Sequence, residues 1–556
     1  MAGCCDDSGT DYFDLGDHHR AVTTPSSEAQ TWFDRGLAWT YGFHHEEARR
    51  CFERAAEADP DCAMAHWGIA YVVGPNYNLA WDDFDPGRLA DSLTTARLAR
   101  ERAEQLADGA SDVEQALIAT LAARYPVTDA IEGDPGWCEG HAVAMRTAYQ
   151  RFPDDLDVAA LFAEALMNVT PWQMWDLPSG QPAPGAHTVE CREVLEQALA
   201  RPAARRHPGI LHMYIHLMEM SPTPDAAAEA ADLLRDLVPD AGHLRHMPSH
   251  IDVLLGRYDA VIAANQAAYE ADQRYVAREG AMNAYTLYRC HDLHFLVYGA
   301  MFLGDRGRAL DAADRLVDCI PESLLRVASP PMADLLEAFV AIRVHVMIRF
   351  GMWEELAVEP LPQDHELYAA TTALVRYGRG IAHSATGRVA EGERERELFV
   401  AAAARVPASR TLFNNSVADL LAIAAQMLDG ELLYRRGEYD AAYAALRHSV
   451  ELDDNLPYDE PWGWMQPTRH AYGALLLEQG HVEEAAAIYR ADLGLDDSLP
   501  RALRHPGNVW SLHGYHECLT RLGLTDEAPG VKADLDAAQA LTDVPVRASC
   551  ACRTVA

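Results

Sequence analysis

Along most of the chain, apolar residues recur at intervals of three and four positions, the spacing of a helix that buries one face. Alanine-rich runs such as AAAEAADLLRDLVPD (226–240) and EEAAAIYRADLGL (483–495) show it most clearly. Glycine or Asp-Pro interrupts the runs in the manner of helix stops. The strict alternation of a half-buried strand is nearly absent. The pattern predicts an all-α protein.

The helices come in pairs with a repeating order of residue types. Trp32, Gly36 and Tyr41 are followed by Ala48, Phe52 and Pro60. This order resembles the tetratricopeptide repeat, in which small residues let two antiparallel helices pack closely and stacked pairs bury one continuous core. Similar units occur at 250–272, 372–407, 427–457 and 469–500. The resemblance implies a helical-hairpin solenoid from about residue 28 to about 540, with a long insertion near 75–140. Pro/Gly-rich joints are expected at 170–186 and 355–363. The expected divisions are an N-terminal segment (1–27), a first array carrying a histidine-rich site (28–355), a second array (356–540) and a tail (541–556). The segments AQTWFDRGLAWTYGFHHEEA, GPNYN, HMYIHLMEMSP, AGHLRHMPSHI and CHDLHFL together resemble a group of bacterial tetratricopeptide-type proteins without an assigned activity. That likeness implies a fold and leaves the chemistry to the residues.

Composition narrows the partners. The 556 residues include 46 basic and 84 acidic side chains, a formal net charge of −38. Such a field repels phosphate backbones and anionic lipid, so neither nucleic acid nor a membrane surface is an expected partner. Hydrophobic residues at 49 % and charged residues at 23 % exclude wholesale disorder. The acidic first residues lack the apolar core of a secretory signal, and no run approaches the ~20 apolar residues of a membrane span. Eleven cysteines lack framework spacing and read as small core residues under reducing conditions. These features point to a cytoplasmic location.

Histidine supplies the candidate chemistry. Of 24 histidines, eight fall between His207 and His294. His212 and His216 are four apart and so share a helix face, with Glu219 three further on. His246 and His250 repeat that spacing at an offset of 34 residues, the tetratricopeptide period. His243 precedes them, and His291 and His294 follow. Pro248, between His246 and His250, is expected to disturb a straight helix there. These seven histidines predict a mono- or dinuclear metal site. An imidazole-rich donor set favours copper, with iron or zinc as alternatives. In composition it resembles the paired copper sites of oxygen-handling proteins, each copper held by three imidazoles. Glu219 and Tyr214 are the candidates for proton handling.

Four further residues, Trp462, Trp464, Arg469 and His470 in PWGWMQPTRH, are candidates for closing over a small-molecule substrate, with Arg469 pairing with a carboxylate. GPNYN is a candidate pocket wall. His44 and His45 read as solvated, His513 and His516 as an i, i+3 pair, and Cys550 with Cys552 as part of a flexible tail. The leading expectation is a copper- or iron-dependent oxidoreductase that uses dioxygen. A protein-binding scaffold with structural histidines and a zinc-dependent hydrolase are the alternatives. Phosphate loops, nucleophile elbows and H-E-x-x-H are absent.

Overall fold

The computed structural model describes residues 12–126, 136–283 and 285–553. The first hairpin shows why this sequence builds an array. The Ser26 hydroxyl accepts from the Ala29 amide and starts Ser27–Tyr41, which packs against His45–Ala58 and also touches Ala63–Val72. Phe52 is wedged between the outer two helices. A Cβ on Gly36 would lie 2.6 Å from its ring, and one on Gly68 would lie 2.5 Å from it. The motif recurs near the C-terminus, where Tyr489 faces Gly473 and Gly514 at 2.8 and 2.4 Å in the same sense. A glycine, a ring and a second glycine thus fix the spacing of successive helices at both ends of the chain.

The fold is all-α, a tetratricopeptide-like array of helical hairpins in which successive helices pack on one another. The expected insertion at 75–140 is instead largely helical: Pro86–Leu106, Asp112–Arg124 and Trp137–Arg151 continue the stack. Their weak amphipathic pattern hid them, because Pro86–Leu106 carries charge on most of its turns. Among the described residues the only strands are two-residue pairs, Trp175–Asp176 with Gln181–Pro182 and Thr411–Leu412 with Asn415–Ser416.

The array also closes upon itself. Trp510 donates its indole N–H to the Met301 carbonyl (2.8 Å), and Tyr258 donates to the Pro506 carbonyl (3.1 Å). Asp543 accepts from the amides of Arg306 and Gly307. The tail is packed rather than free: Ser549 is buried, its hydroxyl 2.6 Å from that of Tyr489, and Cys550 and Cys552 form a disulfide. No helix of the described residues is long and apolar enough to cross a membrane.

Candidate metal centre

Two histidine triads face each other in the buried middle of the array. Pro208–Glu219 presents His212 and His216, and Gly242–His246 adds His243. One ring nitrogen from each of these three lies within 4.8 Å of the others. His246 and His250 form the second triad with His291 from Thr286–Leu303, within the same limit. The geometry repeats. Ring centroids of the i, i+4 pairs are 4.7 Å apart in both triads, and the third histidine lies 4.9 Å from His212 and 4.5 Å from His246. The triads approach through His216 and His250 (5.6 Å) and through His243 and His246 (5.8 Å).

Pro248 does less harm than its position suggests. It is the first residue of Pro248–Leu254, and Met247 before it remains in the α region. A proline at the start of a helical segment gives up an amide that needs no partner there. The His246–His250 spacing therefore survives the break. On the other side, Gly209 lets its helix approach Tyr41 so closely that an added Cβ would lie 2.6 Å from the ring. This approach brings His212 Nδ1 to 2.6 Å from the Tyr41 carbonyl.

The hydrogen bonds fix how the imidazoles point. His212 Nδ1 donates to the Tyr41 carbonyl, and His246 Nδ1 donates to Asn265 Oδ1 at 2.6 Å. Asn265 is held the right way round because its Nδ2 donates to the Val261 carbonyl. Glu219 spans the two triads, with Oε1 2.9 Å from His216 Nδ1 and Oε2 2.6 Å from His250 Nδ1. Glu460 Oε2 lies 3.1 Å from the same His250 nitrogen. With Nδ1 engaged, these four rings leave Nε2 as the remaining donor, whereas neither ring nitrogen of His243 nor Nδ1 of His291 has a partner. The Nε2 atoms of His212 and His216 have no partner, and those of His246 and His250 stand 2.7 Å apart. Two nitrogen lone pairs meet at that distance only around a proton or a metal ion.

Electrostatics favour neutral ligand forms. Burial lowers the affinity of the imidazoles for protons, to a pKa of about 3 for His212 and about 4 for His246. Burial and the neighbouring histidines push His216, His243, His250 and His291 well below the usual value. Burial, Glu460 and Asp459 raise Glu219 well above the carboxylate range.

Aromatic rings enclose the cluster, and three of them are strained. Among the described residues the non-glycine positions with positive φ are Phe43 (54°), Trp172 (59°) and Phe413 (48°). Each ring lies against a triad histidine: Phe43 4.6 Å from His212, Trp172 5.6 Å from His216 and Phe413 4.8 Å from His291. Backbone strain in bulky residues is costly, and it gathers here around one cluster. Tyr77 of the GPNYN loop also reaches His216, at 4.9 Å, and its buried hydroxyl has no partner.

The other candidate residues are placed elsewhere. His294 belongs to neither triad, and its ring packs on Phe339 at 5.2 Å. Tyr214 turns away and donates to Glu196, because a residue two positions from His212 or His216 lies on the opposite helix face. Trp462 donates to Asp453, Trp464 is buried against His345 and Tyr377, Arg469 pairs with Asp454, and His470 pairs with Asp492. These four side chains are packed within the protein and do not join the histidine cluster. His44 and His45 are buried rather than solvated: His44 stacks on Tyr285 at 4.0 Å. His513 and His516 gather no third ligand among the described residues. Asn265, Glu460 and the three strained aromatics escaped the sequence analysis. Only a lone asparagine on the apolar side of Tyr258–Glu279 hinted at the first.

Two further groups have ligand spacing: His216, Glu219 and His250, which bridges the triads, and a separate one of His18, Asp157 and His207. The carboxylate of this separate group is already saturated by both histidines, Arg20 and Tyr41. It reads as a structural ion-pair network.

No family model matches the chain, and no curated protein does. Among solved structures it is similar to Naa15/Naa10 bound to HypK-THB, with 13 % identity over 92 % of this chain and 70 % of that one, at a TM-score of 0.21. Yeast Tom70 gives 11 % identity over 92 % of this chain and 96 % of that one, at a TM-score of 0.26. Likenesses this loose add nothing to the helical hairpins already described.

Proposed function

We propose that this chain is a metal-binding helical array whose two triads hold a pair of transition-metal ions. Copper is the first choice, with iron or zinc as alternatives. The observation that carries this reading is the convergence of three imidazoles in each triad, with Nδ1 of His212, His216, His246 and His250 each held by an oxygen partner. Such an arrangement is the usual way a protein orients metal-bound histidine. A donor set made only of imidazole suits copper. The Glu219 carboxylate is engaged with Nδ1 of His216 and of His250, and these three residues also have ligand spacing, which keeps iron and zinc as the alternatives.

A copper pair of this kind supports oxidation of a small organic substrate with dioxygen. The protein's part would be to hold six neutral imidazoles in register, to pair Nδ1 of His216 and of His250 with the two oxygens of Glu219, and to exclude water with Phe43, Trp172 and Phe295, whose ring lies 5.1 Å from His246 and 5.3 Å from His250. The test is elemental analysis of untagged protein, then reconstitution with copper, iron and zinc in turn. About two ions per chain, lost together when His212 and His246 are both replaced by alanine, is the expected result. Protein that binds none of the three metals would overturn the reading.

A protein-interaction scaffold is the second reading, and the helical-hairpin array itself favours it, because such arrays offer extended concave surfaces to peptides. Protein capture that survives complete metal removal and alanine replacement of the triads would place that reading first.

A further inference from the structure

A second pair of histidines lies outside both triads. His294 and His345 line a small enclosed cavity of about 20 Å³, together with Trp464, Met465 and apolar residues that include Phe339 and Leu374. Both ring nitrogens of His294, Nδ1 of His345 and the Trp464 indole N–H have no hydrogen-bond partner. All three side chains are more than nine-tenths buried. The His345 ring meets Trp464 edge-on, with centroids 4.9 Å apart. Among the described residues no carboxylate lines the cavity. Buried polar groups are normally satisfied, so several unsatisfied ones around one enclosed space call for an occupant.

We propose that this chamber is an internal site for monovalent copper, with the imidazoles of His294 and His345 and the thioether of Met465 as donors and the Trp464 indole as its wall. Thioether and imidazole donors without carboxylate select monovalent copper over magnesium, calcium or manganese, which require oxygen ligands. A single positive charge among neutral donors is also less costly to bury than a divalent one. Burial leaves both rings uncharged at neutral pH, with pKa values of about 3 for His294 and about 4 for His345, so their lone pairs are free to bind. The site does not depend on the triads holding copper, since it shares no ligand with them.

The test is an anaerobic titration of the full chain with monovalent copper against bicinchoninate as competing chelator. It uses the variant carrying H212A and H246A, which disables the triads. One tightly held equivalent is expected to remain. Met465→Leu should weaken it at least tenfold, and H294A with H345A should abolish it. Silver(I) should compete for the site and zinc should not. Met465→Leu nearly conserves volume, so its helical signal and melting should match the parent. If the triad variant does not fold, the same titration compares wild type with Met465→Leu, and a difference of one equivalent is expected. Copper stoichiometry and affinity unchanged in Met465→Leu and in H294A/H345A would overturn the proposal. So would displacement of the bound copper by zinc. Failure of the triads to hold metal would leave this equivalent in place, so the two readings fail separately.

Discussion

The Nε2 atoms of His246 and His250 face each other across 2.7 Å, each on a ring whose Nδ1 is already engaged, with Asn265 and with Glu219 respectively. A metal ion replaces the proton this contact otherwise needs. His250→Ala is therefore expected to lower the metal content from about two ions to about one while His212, His216 and His243 keep theirs. Far-ultraviolet circular dichroism should be unchanged, because an array distributes its stability over many hairpins. Metal-to-protein ratio is the measurement.

Removing the metal should lower stability as well. An ion bound only by the folded state stabilises it by about 3–4 kcal/mol when free metal exceeds the dissociation constant by about 100- to 1,000-fold. Dialysis against a strong chelator is expected to lower the melting temperature, and re-addition of copper should restore it.

Glu219 touches both triads and, in this reading, binds no metal itself. Glu219→Gln keeps its size but can accept from only one imidazole, so metal affinity is expected to fall about 10- to 100-fold at both sites. Competition titration measures it. A loss confined to one triad would show that Glu219 does not couple them.

The metal-free protein should be acid-sensitive. His212 and His246 keep their protons off until about pH 3 and about pH 4, whereas the unfolded chain binds them near the ordinary value of 6.5. Below pH 6.5 the unfolded state therefore holds more protons than the folded one, and stability falls with pH until the folded groups titrate. Denaturant midpoints should decline from pH 7 to pH 4 in the metal-free wild type. The decline should be shallower in His246→Gln.

Asp157 offers a control outside the cluster. Burial raises its pKa, but hydrogen bonds from His18 and His207 outweigh burial and hold it well below the usual range. Its contribution is present above the ordinary carboxylate pKa and is lost as pH falls through the depressed folded value. Asp157→Asn leaves two histidines without their carboxylate while Arg20 keeps Asp155, and about 1.5–3 kcal/mol of destabilisation is expected. Metal content should not change, and a lost ion would reveal a third site there.

Periodicity and residue order determined the helices, their pairing and the equivalence of the two i, i+4 pairs, because those are local properties of the chain. A spacing of four places two side chains on one face, and an offset of 34 places two pairs on corresponding turns, wherever the chain then goes. The division into triads was a tertiary decision. His243 joins His212 and leaves His246, three residues away, to meet His291, because the long helix Tyr258–Glu279 intervenes and sets where Thr286–Leu303 returns. The same return swings His294 into a separate chamber with His345 and Met465, residues that no spacing in the sequence connects to it. The strained rings of Phe43, Trp172 and Phe413 were equally invisible, since positive φ in an aromatic residue is imposed by packing and contradicts its local preference. Sequence specified which faces carry imidazole, and only the closing of the array decided which imidazoles meet.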